Sequence, residues 1–403
     1  MLKQKNKVKI VIIGAGPSGL FASYLLLKKG YKVHLYDHSS GPGKKFLVAG
    51  NGGLNLTHSE PLDTFQSKYA ENEERFSHLL RSFSPSDLIK FCDEIGIETF
   101  SGSSGRVFPK EMNAANMIRN WIEKLKEHDD FKLHLNHHLN EIKTEGSEFV
   151  ISIINKKKSR HITINSDYLL LGLGGGSWKR TGSDGVWVSL IRSLDILVHD
   201  FFSYNCGYEV SWSNVFKNKV DHSFLKNIAI NGKVGEVMLT PYGIEGSLIY
   251  ANSKNVQNQL KNLGEAKLNL DLRPQNTVDE LITKLKKKRS KDSKKNQLRK
   301  CLKLGHVEYQ LVTEILGTVS ELSDRQLAEG IKNLEINLLR ARPLDEAIST
   351  GGGVDLLEVD EHFESFKHRG LFFLGEMLNW DAPTGGYLLQ GCFSIAHRVV
   401  QRF

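Results

Sequence analysis

Cysteine is scarce. The 403 residues contain four, Cys92, Cys206, Cys301 and Cys392, and no two form a CxxC pair. That spacing excludes a dithiol redox motif and a thiolate zinc site, and it suits a reducing compartment, so a cytoplasmic location is expected. Long apolar runs are also missing. None approaches the roughly 18–20 residues needed to cross a bilayer, so no membrane partner is expected. The apolar stretch behind the charged start Met-Leu-Lys-Gln-Lys-Asn-Lys ends in glycines and reads as a first strand, not as the core of a signal peptide. There is no HExxH and no serine-triad pattern, and the histidines are dispersed. His137-His138 reads as surface within a strand region, so no metal is expected. Neither sign of charge dominates. With 54 Lys and Arg against 46 Asp and Glu the net charge is +8, a weak preference for acidic partners.

Glycine is plentiful, and its placement carries the information. A β-branched run, Val8 to Ile13, ends at Gly14-Ala15-Gly16-Pro17-Ser18-Gly19. A helical stretch, Leu20 to Lys29, follows and stops at Gly30, and a second strand, Lys32 to Tyr36, ends at Asp37. This is the strand–turn–helix–strand setting in which a GxGxxG motif binds a dinucleotide. Gly14 allows the tight turn, Gly16 lets backbone approach a pyrophosphate, and Gly19 lets helix and strand pack closely. The helix N-terminus presents free N–H groups and a positive dipole end to phosphate. Asp37 can accept from both hydroxyls of an adenosine ribose. NAD and FAD both fit this unit.

Further along, a Gly/Asn-rich loop spans Gly41 to Asn55. Ser84 and Pro85 open a helix to about Ile95, and a second helix spans about Asn113 to His128 with Met117, Trp121 and Leu125 on one stripe. Phe131 to Leu173 reads as short strands, with a hairpin around Asn155–Ser159. Tyr168 to Leu171 is a buried strand running into the turn Gly172–Gly176, after which Ser183-Asp184 caps a helix to about Leu194. Asp195 to Pro274 is strand-rich, a small barrel. Thr277 to about Leu334 is helical, and residues 345–403 return to the first style. The chain reads as α/β: a Rossmann-like nucleotide domain in two parts, 1–194 and 345–403, around an insert at 195–344 (β-rich 195–274, helical 275–344).

A second motif narrows the cofactor. A strand ends Leu374-Gly375-Glu376, and Asp381-Ala-Pro-Thr-Gly385-Gly386-Tyr387 opens a helix. A carboxylate at such a strand end can bind ribityl hydroxyls, and a helix starting at Gly386 can point N–H groups at the flavin N1/C2-carbonyl edge, where the reduced ring is negative. Taken with the first fingerprint, this points to FAD.

The ordered segments Gly14–Gly19, Gly43-Lys44-Lys45 to Gly50-Asn51-Gly52-Gly53-Leu54-Asn55, Gly105-Arg106-Val-Phe108-Pro109, Leu374-Gly375-Glu376 and Gly385-Gly386-Tyr387 resemble a bacterial flavoprotein family. Its fold is of the two-dinucleotide-binding-domain type, and its members are described as aminoacetone-oxidase-like, bile-acid-reductase-like or ribosomal RNA dihydrouridine synthases. The resemblance covers nearly the whole chain. It implies an FAD domain interrupted by a β-barrel insert and a helical subdomain. Gly235 to Gly246 resembles the insert's signature, with Glu245 where many relatives carry Ser. The family's flavin loop usually reads Ser-Gly-Gly-Gly-Arg-Cys-Asn. Here Gly53 and Leu54 replace the Arg and the Cys, so the roles of those side chains do not transfer.

On this resemblance Gly14, Gly16, Pro17, Ser18, Gly19 and Asp37 hold the ADP half. Lys45, Gly50, Asn51, Gly52 and Asn55 line the ring and ribityl chain, and Gly174, Gly375, Glu376, Gly385, Gly386 and Tyr387 complete the site. Lys45 would stabilise an anionic reduced ring by charge. Lys45, Tyr387 and Arg106 are the candidates for catalysis, with a structural ion pair the competing role for Arg106. The expected activity is FAD-dependent oxidoreduction. Without a second Rossmann unit, NAD(P)H binds transiently over the flavin or oxygen accepts the electrons. The partner is a small molecule or structured RNA. Lys284–Lys300 holds ten Lys/Arg and one acid, Asp292. That run is a solvated helix–turn or a phosphate contact for RNA, the second reading allowing uridine reduction or RNA binding without turnover.

Overall fold

The computed structural model describes residues 8–50, 53–287 and 291–403. Contacts divide the chain into two units, Met1–Phe202 with Ser349–Phe403, and Ser203–Ile348.

The first unit is built on a five-stranded parallel sheet. Its order is Leu371–Phe373, Tyr168–Leu171, β1 (Lys9–Ile13), β2 (Lys32–Asp37) and Phe131–Leu135. Ile10 to Ile13 are buried, as strands covered on both faces must be. Helix α1 (Pro17–Lys28) follows the glycine turn and packs on the C-terminal helix Tyr387–Val400, with the Phe21 and Phe393 rings edge to face at 5.0 Å. Helix Pro85–Glu94 carries the capping box of Ser84 with Asp87, and Asn113 caps Ala114–Lys126, whose Met117, Trp121 and Leu125 are fully buried. A three-stranded antiparallel meander runs through His137–Glu145, Glu148–Asn155 and Arg160–Ser166. A smaller sheet joins Thr57–His58, Arg106–Pro109 and Thr99–Ser101.

Local reading of the sequence misplaces two features here. The helix expected from Ser183-Asp184 begins only at Trp187 and ends at Arg192, because Gly185 has φ +69° and cannot be helical. Asp184 instead accepts the Val186 N–H in a turn. Also, His137 and His138 are half-buried, not surface residues.

The second unit is a closed sheet. Ser223–Ile230, Lys233–Thr240, Gly243–Glu245, Tyr208–Glu209 and Arg340–Ala341 pair in that order. Leu334–Leu338 leads directly into Arg340–Ala341 and pairs with Ala266–Leu270. Asp271, one residue beyond that strand, bridges to Ala229 on Ser223–Ile230, with N–H to O distances of 2.9 and 2.8 Å, and the ring is complete. Closure removes free strand edges. The β-rich stretch also contains helix Ser253–Leu263, which the strand reading passed over, and Leu334, read as the end of the helices, starts a strand. Helices Val278–Leu285, Lys294–Cys301, His306–Leu316 and Asp324–Lys332 complete the unit. No helix among the described residues is long and apolar enough to cross a membrane.

Candidate functional site

The glycine turn packs as its spacing requires. Gly14 has φ +108°, and a Cβ there would lie 2.2 Å from the Gly172 carbonyl oxygen. A Cβ on Gly19 would lie 1.9 Å from the Gly14 oxygen. Gly16 is different, since a Cβ there would meet nothing within 4 Å. The protein itself does not require that glycine, so its bare backbone faces open space. Gly16 is the N-cap of α1 and no side chain caps that end, although Pro17 and Ser18 begin the helix. The first-turn amides are therefore available to an anion.

Asp37 closes this end. Its two carboxylate oxygens accept the Ala15 and Ser39 N–H groups, each at 2.7 Å, so β2 holds the acid against the turn and one lone pair per oxygen stays free. Beside it is a cavity of about 300 Å³ bordered by Gly14, His38, Leu139, Gly182, Trp187 and Leu190, among others. Next to Gly182, Ser183 is buried and its Oγ has no partner. Trp187 Nε1 donates to the Gly174 oxygen at 2.9 Å, which fixes the turn containing Gly174 beside this cavity. His38 and His138 meet edge to face at 6.1 Å, and burial lowers the basicity of His138. No group of three or more His, Cys, Asp or Glu among the described residues could hold a metal.

A second cluster gathers four distant segments. Lys45 Nζ donates to Ser177 Oγ at 2.7 Å and to Glu376 Oε2 at 2.9 Å. The Thr350 N–H donates to Glu376 Oε1 at 3.1 Å. Thr350 Oγ1 in turn accepts the Gly176 and Ser177 N–H groups at 2.8 and 3.0 Å. Lys45 stands on the helix Lys44–Ala49, tied to the glycine turn by the Gly43 N–H to the Ala15 oxygen at 2.8 Å. Gly375 has φ +60°, and its missing Cβ makes room for Ser18. Gly50 has a packing reason of its own, since a Cβ there would lie 2.5 Å from the Ala114 Cβ. Asn51 and Gly52 lie outside the described residues. Asn55 keeps a buried Oδ1 with no partner.

The third cluster surrounds Tyr387. A Cβ on Gly386 would lie 2.5 Å from the Thr57 Cα, so strand Thr57–His58 presses directly on the start of the C-terminal helix. Gly385 has φ +127° and Gly386 +92°. Tyr387 is buried and donates to Glu60 Oε1 at 2.6 Å, with its ring stacked on His58 at 5.6 Å. Burial, then the Glu60 carboxylate, hold this phenol well above the ordinary tyrosine range, while the Arg106 charge pulls it down. Arg106 forms no ion pair among the described residues. The Glu60 N–H donates to His58 Nδ1 at 3.1 Å, so His58 carries its proton on Nε2, directed at the Ser104 oxygen at 2.9 Å.

Three of these participants were findable. Ser177 follows the Gly174–Gly176 turn, His38 follows Asp37, and Thr350 precedes a glycine triplet. Glu60 carries no local signal, because only tertiary packing brings it to Tyr387.

A parallel sheet with an uncapped glycine turn, an acid at the end of β2 and a carboxylate at the end of the outer strand define the class: a protein with a Rossmann-type dinucleotide-binding domain of the kind that holds FAD. Residues 8–402 match the family "HI0933-like protein Rossmann domain", and the chain belongs to it. It is 24% identical to the 3-dehydro-bile acid delta(4,6)-reductase of Clostridium scindens, over 96% of this chain and 97% of that one. It is also 24% identical to the ribosomal RNA dihydrouridine synthase of Haemophilus influenzae, over 96% of each. Among solved structures, 3-ketosteroid-delta4-(5alpha)-dehydrogenase from Rhodococcus jostii aligns with TM-score 0.52 at 12% identity, over 99% of this chain and 97% of that one. That likeness concerns the fold.

Proposed function

We propose that the chain holds FAD along these three clusters and uses it to saturate a carbon–carbon double bond conjugated with a carbonyl in a small organic molecule, with NAD(P)H as reductant. The first-turn amides of α1 and the open backbone at Gly16 suit the diphosphate. Asp37 has lone pairs for the ribose hydroxyls, and the cavity beside His38, with the unpartnered Ser183 Oγ, suits adenine. Lys45, Glu376, Asn55 Oδ1 and the uncapped helix start at Gly386 suit the ribityl chain and ring. Bound there, FAD supplies two-electron hydride transfer.

The protein's own residues then orient and handle protons. Lys45 offers positive charge, Glu376 is held by Thr350, and Tyr387 is a phenol sheltered from water with Glu60 behind it. The observation that carries the reading is the convergence of Lys45, Ser177, Thr350 and Glu376 beside an uncapped glycine turn. Two relatives' names support the reaction class, since a delta(4,6)-reductase and a dihydrouridine synthase both saturate such a bond. The small-molecule reading is preferred to RNA because three of the ten basic residues of the run are engaged within their own unit. Lys294 pairs with Asp324, Lys300 pairs with Asp292, and Lys295 sits over the Tyr309 ring.

The test is anaerobic. Purified protein is expected to carry FAD, to be bleached by NADH or NADPH, and to be reoxidised by a 3-oxo-Δ4 steroid. Protein without flavin sinks the reading. Reoxidation by uridine-containing RNA and by no enone replaces the substrate class.

A further inference from the structure

Four of the five tryptophans, Trp121, Trp187, Trp212 and Trp380, are buried in hydrophobic cores. Trp178 is not. It is half-buried, belongs to neither core, and has no ring or side-chain hydrogen-bond partner among the described residues. Its backbone is also unusual, with φ +62° and ψ +60°, a left-handed conformation that a bulky side chain rarely adopts. A tryptophan gains little local stability from such a position, where glycine or asparagine would sit with less strain.

The strain persists because the segment is pinned on both sides. The Trp178 carbonyl accepts the Thr181 N–H and the Thr181 hydroxyl, both at 2.8 Å. The preceding residue, Ser177, donates its N–H to Thr350 and receives Lys45 on its hydroxyl. Gly182, with φ +97°, closes the loop against His38, because a Cβ there would lie 2.4 Å from His38 Nε2. Surroundings that over-determine a strained residue point to a task for it. What adjoins this one is the Lys45–Glu376 cluster, one residue away.

We infer that Trp178 is a stacking platform for the flat isoalloxazine ring of FAD, held in an unfavourable backbone conformation so that its indole faces the ring. The inference rests on the proposed FAD site. An indole offers a large, flat, polarisable face suited to a conjugated ring, and aromatic stacking of this kind changes affinity by roughly three- to tenfold.

The experiment titrates flavin-stripped full-length protein with FAD and, separately, with ADP, for wild type, W178G and W178F, and records the melting temperature of each stripped protein. W178G is expected to weaken FAD about three- to tenfold while ADP affinity stays within about twofold. W178F is expected to recover most of the loss. The stripped W178G protein is expected to melt no lower than wild type, since relief of the left-handed strain offsets the lost half-buried contacts. Unchanged FAD affinity, a parallel loss for FAD and ADP, or a marked fall in the melting temperature of W178G overturns the inference and leaves the FAD site standing. A wild type that binds no FAD overturns both.

Discussion

Gly16 and Gly19 lie in one short turn and respond to different demands. At Gly19 an added methyl meets the Gly14 backbone at 1.9 Å; at Gly16 it meets nothing, and the φ of −79° suits any residue. Gly19→Ala is therefore expected to cost stability at the overpacking scale, about 1–3 kcal/mol. Gly16→Ala is expected to leave the melting temperature of flavin-stripped protein nearly unchanged and to weaken FAD. Chemical denaturation and FAD titration of the two variants check this, and equal FAD affinity for Gly16→Ala and wild type would break the link between open space and ligand. Both glycines were legible because the constraint on each is local to a strand–turn–helix. The pairings of Ser177 with Lys45, of Thr350 with Glu376 and of Glu60 with Tyr387 were not, since each joins segments distant in the chain and no periodicity encodes that meeting.

Elements differ in the same way. The cap at Ser84 and the helix start near Asn113 were legible because both are matters of three or four neighbouring residues. Closure of the inserted sheet through Ala229 and Asp271 was not, although a barrel was expected, because strand order depends on pairings between remote segments. At the edge of the parallel sheet, β2 and Phe131–Leu135 carry a ladder of rings, with His134 stacked on Tyr36 at 4.3 Å and 9° and within 3.3 Å of His34. Burial, with His34, His137 and Lys132 adding repulsion, lowers the His134 pKa to about 4. The folded state therefore resists protonation that the unfolded chain accepts near the ordinary histidine value of 6.5. The contribution of this neutral ring is complete above the unfolded pKa and is lost as pH falls from there toward about 4. H134F keeps the stack and removes the titration. The wild type should lose more melting temperature than H134F between neutral and mildly acidic buffer, and identical losses would exclude His134 as a source of acid sensitivity.

At the scale of the whole molecule, the two units have separate hydrophobic cores, one around the parallel sheet and one inside the closed ring. The proposed FAD contacts all belong to the first. FAD at about one hundred times its Kd should stabilise that unit by about 2.7 kcal/mol. Calorimetry is expected to show an FAD-sensitive transition and a second that FAD leaves in place. A single transition that shifts as a whole would mean the units unfold together.

The pairing of Lys45 with Glu376 has a further consequence, for biosynthesis. The partners are 331 positions apart, and the whole of Ser203–Ile348 is translated between them. A growing chain therefore exposes Gly14 to Asp37, which already resemble a nucleotide site, while Thr350 and Glu376 do not yet exist. The inserted ring, by contrast, has every strand it needs once Arg340–Ala341 emerges. Synthesis thus favours a fixed order: the insert closes first, the interrupted unit completes its sheet later, and the cofactor is captured only after both.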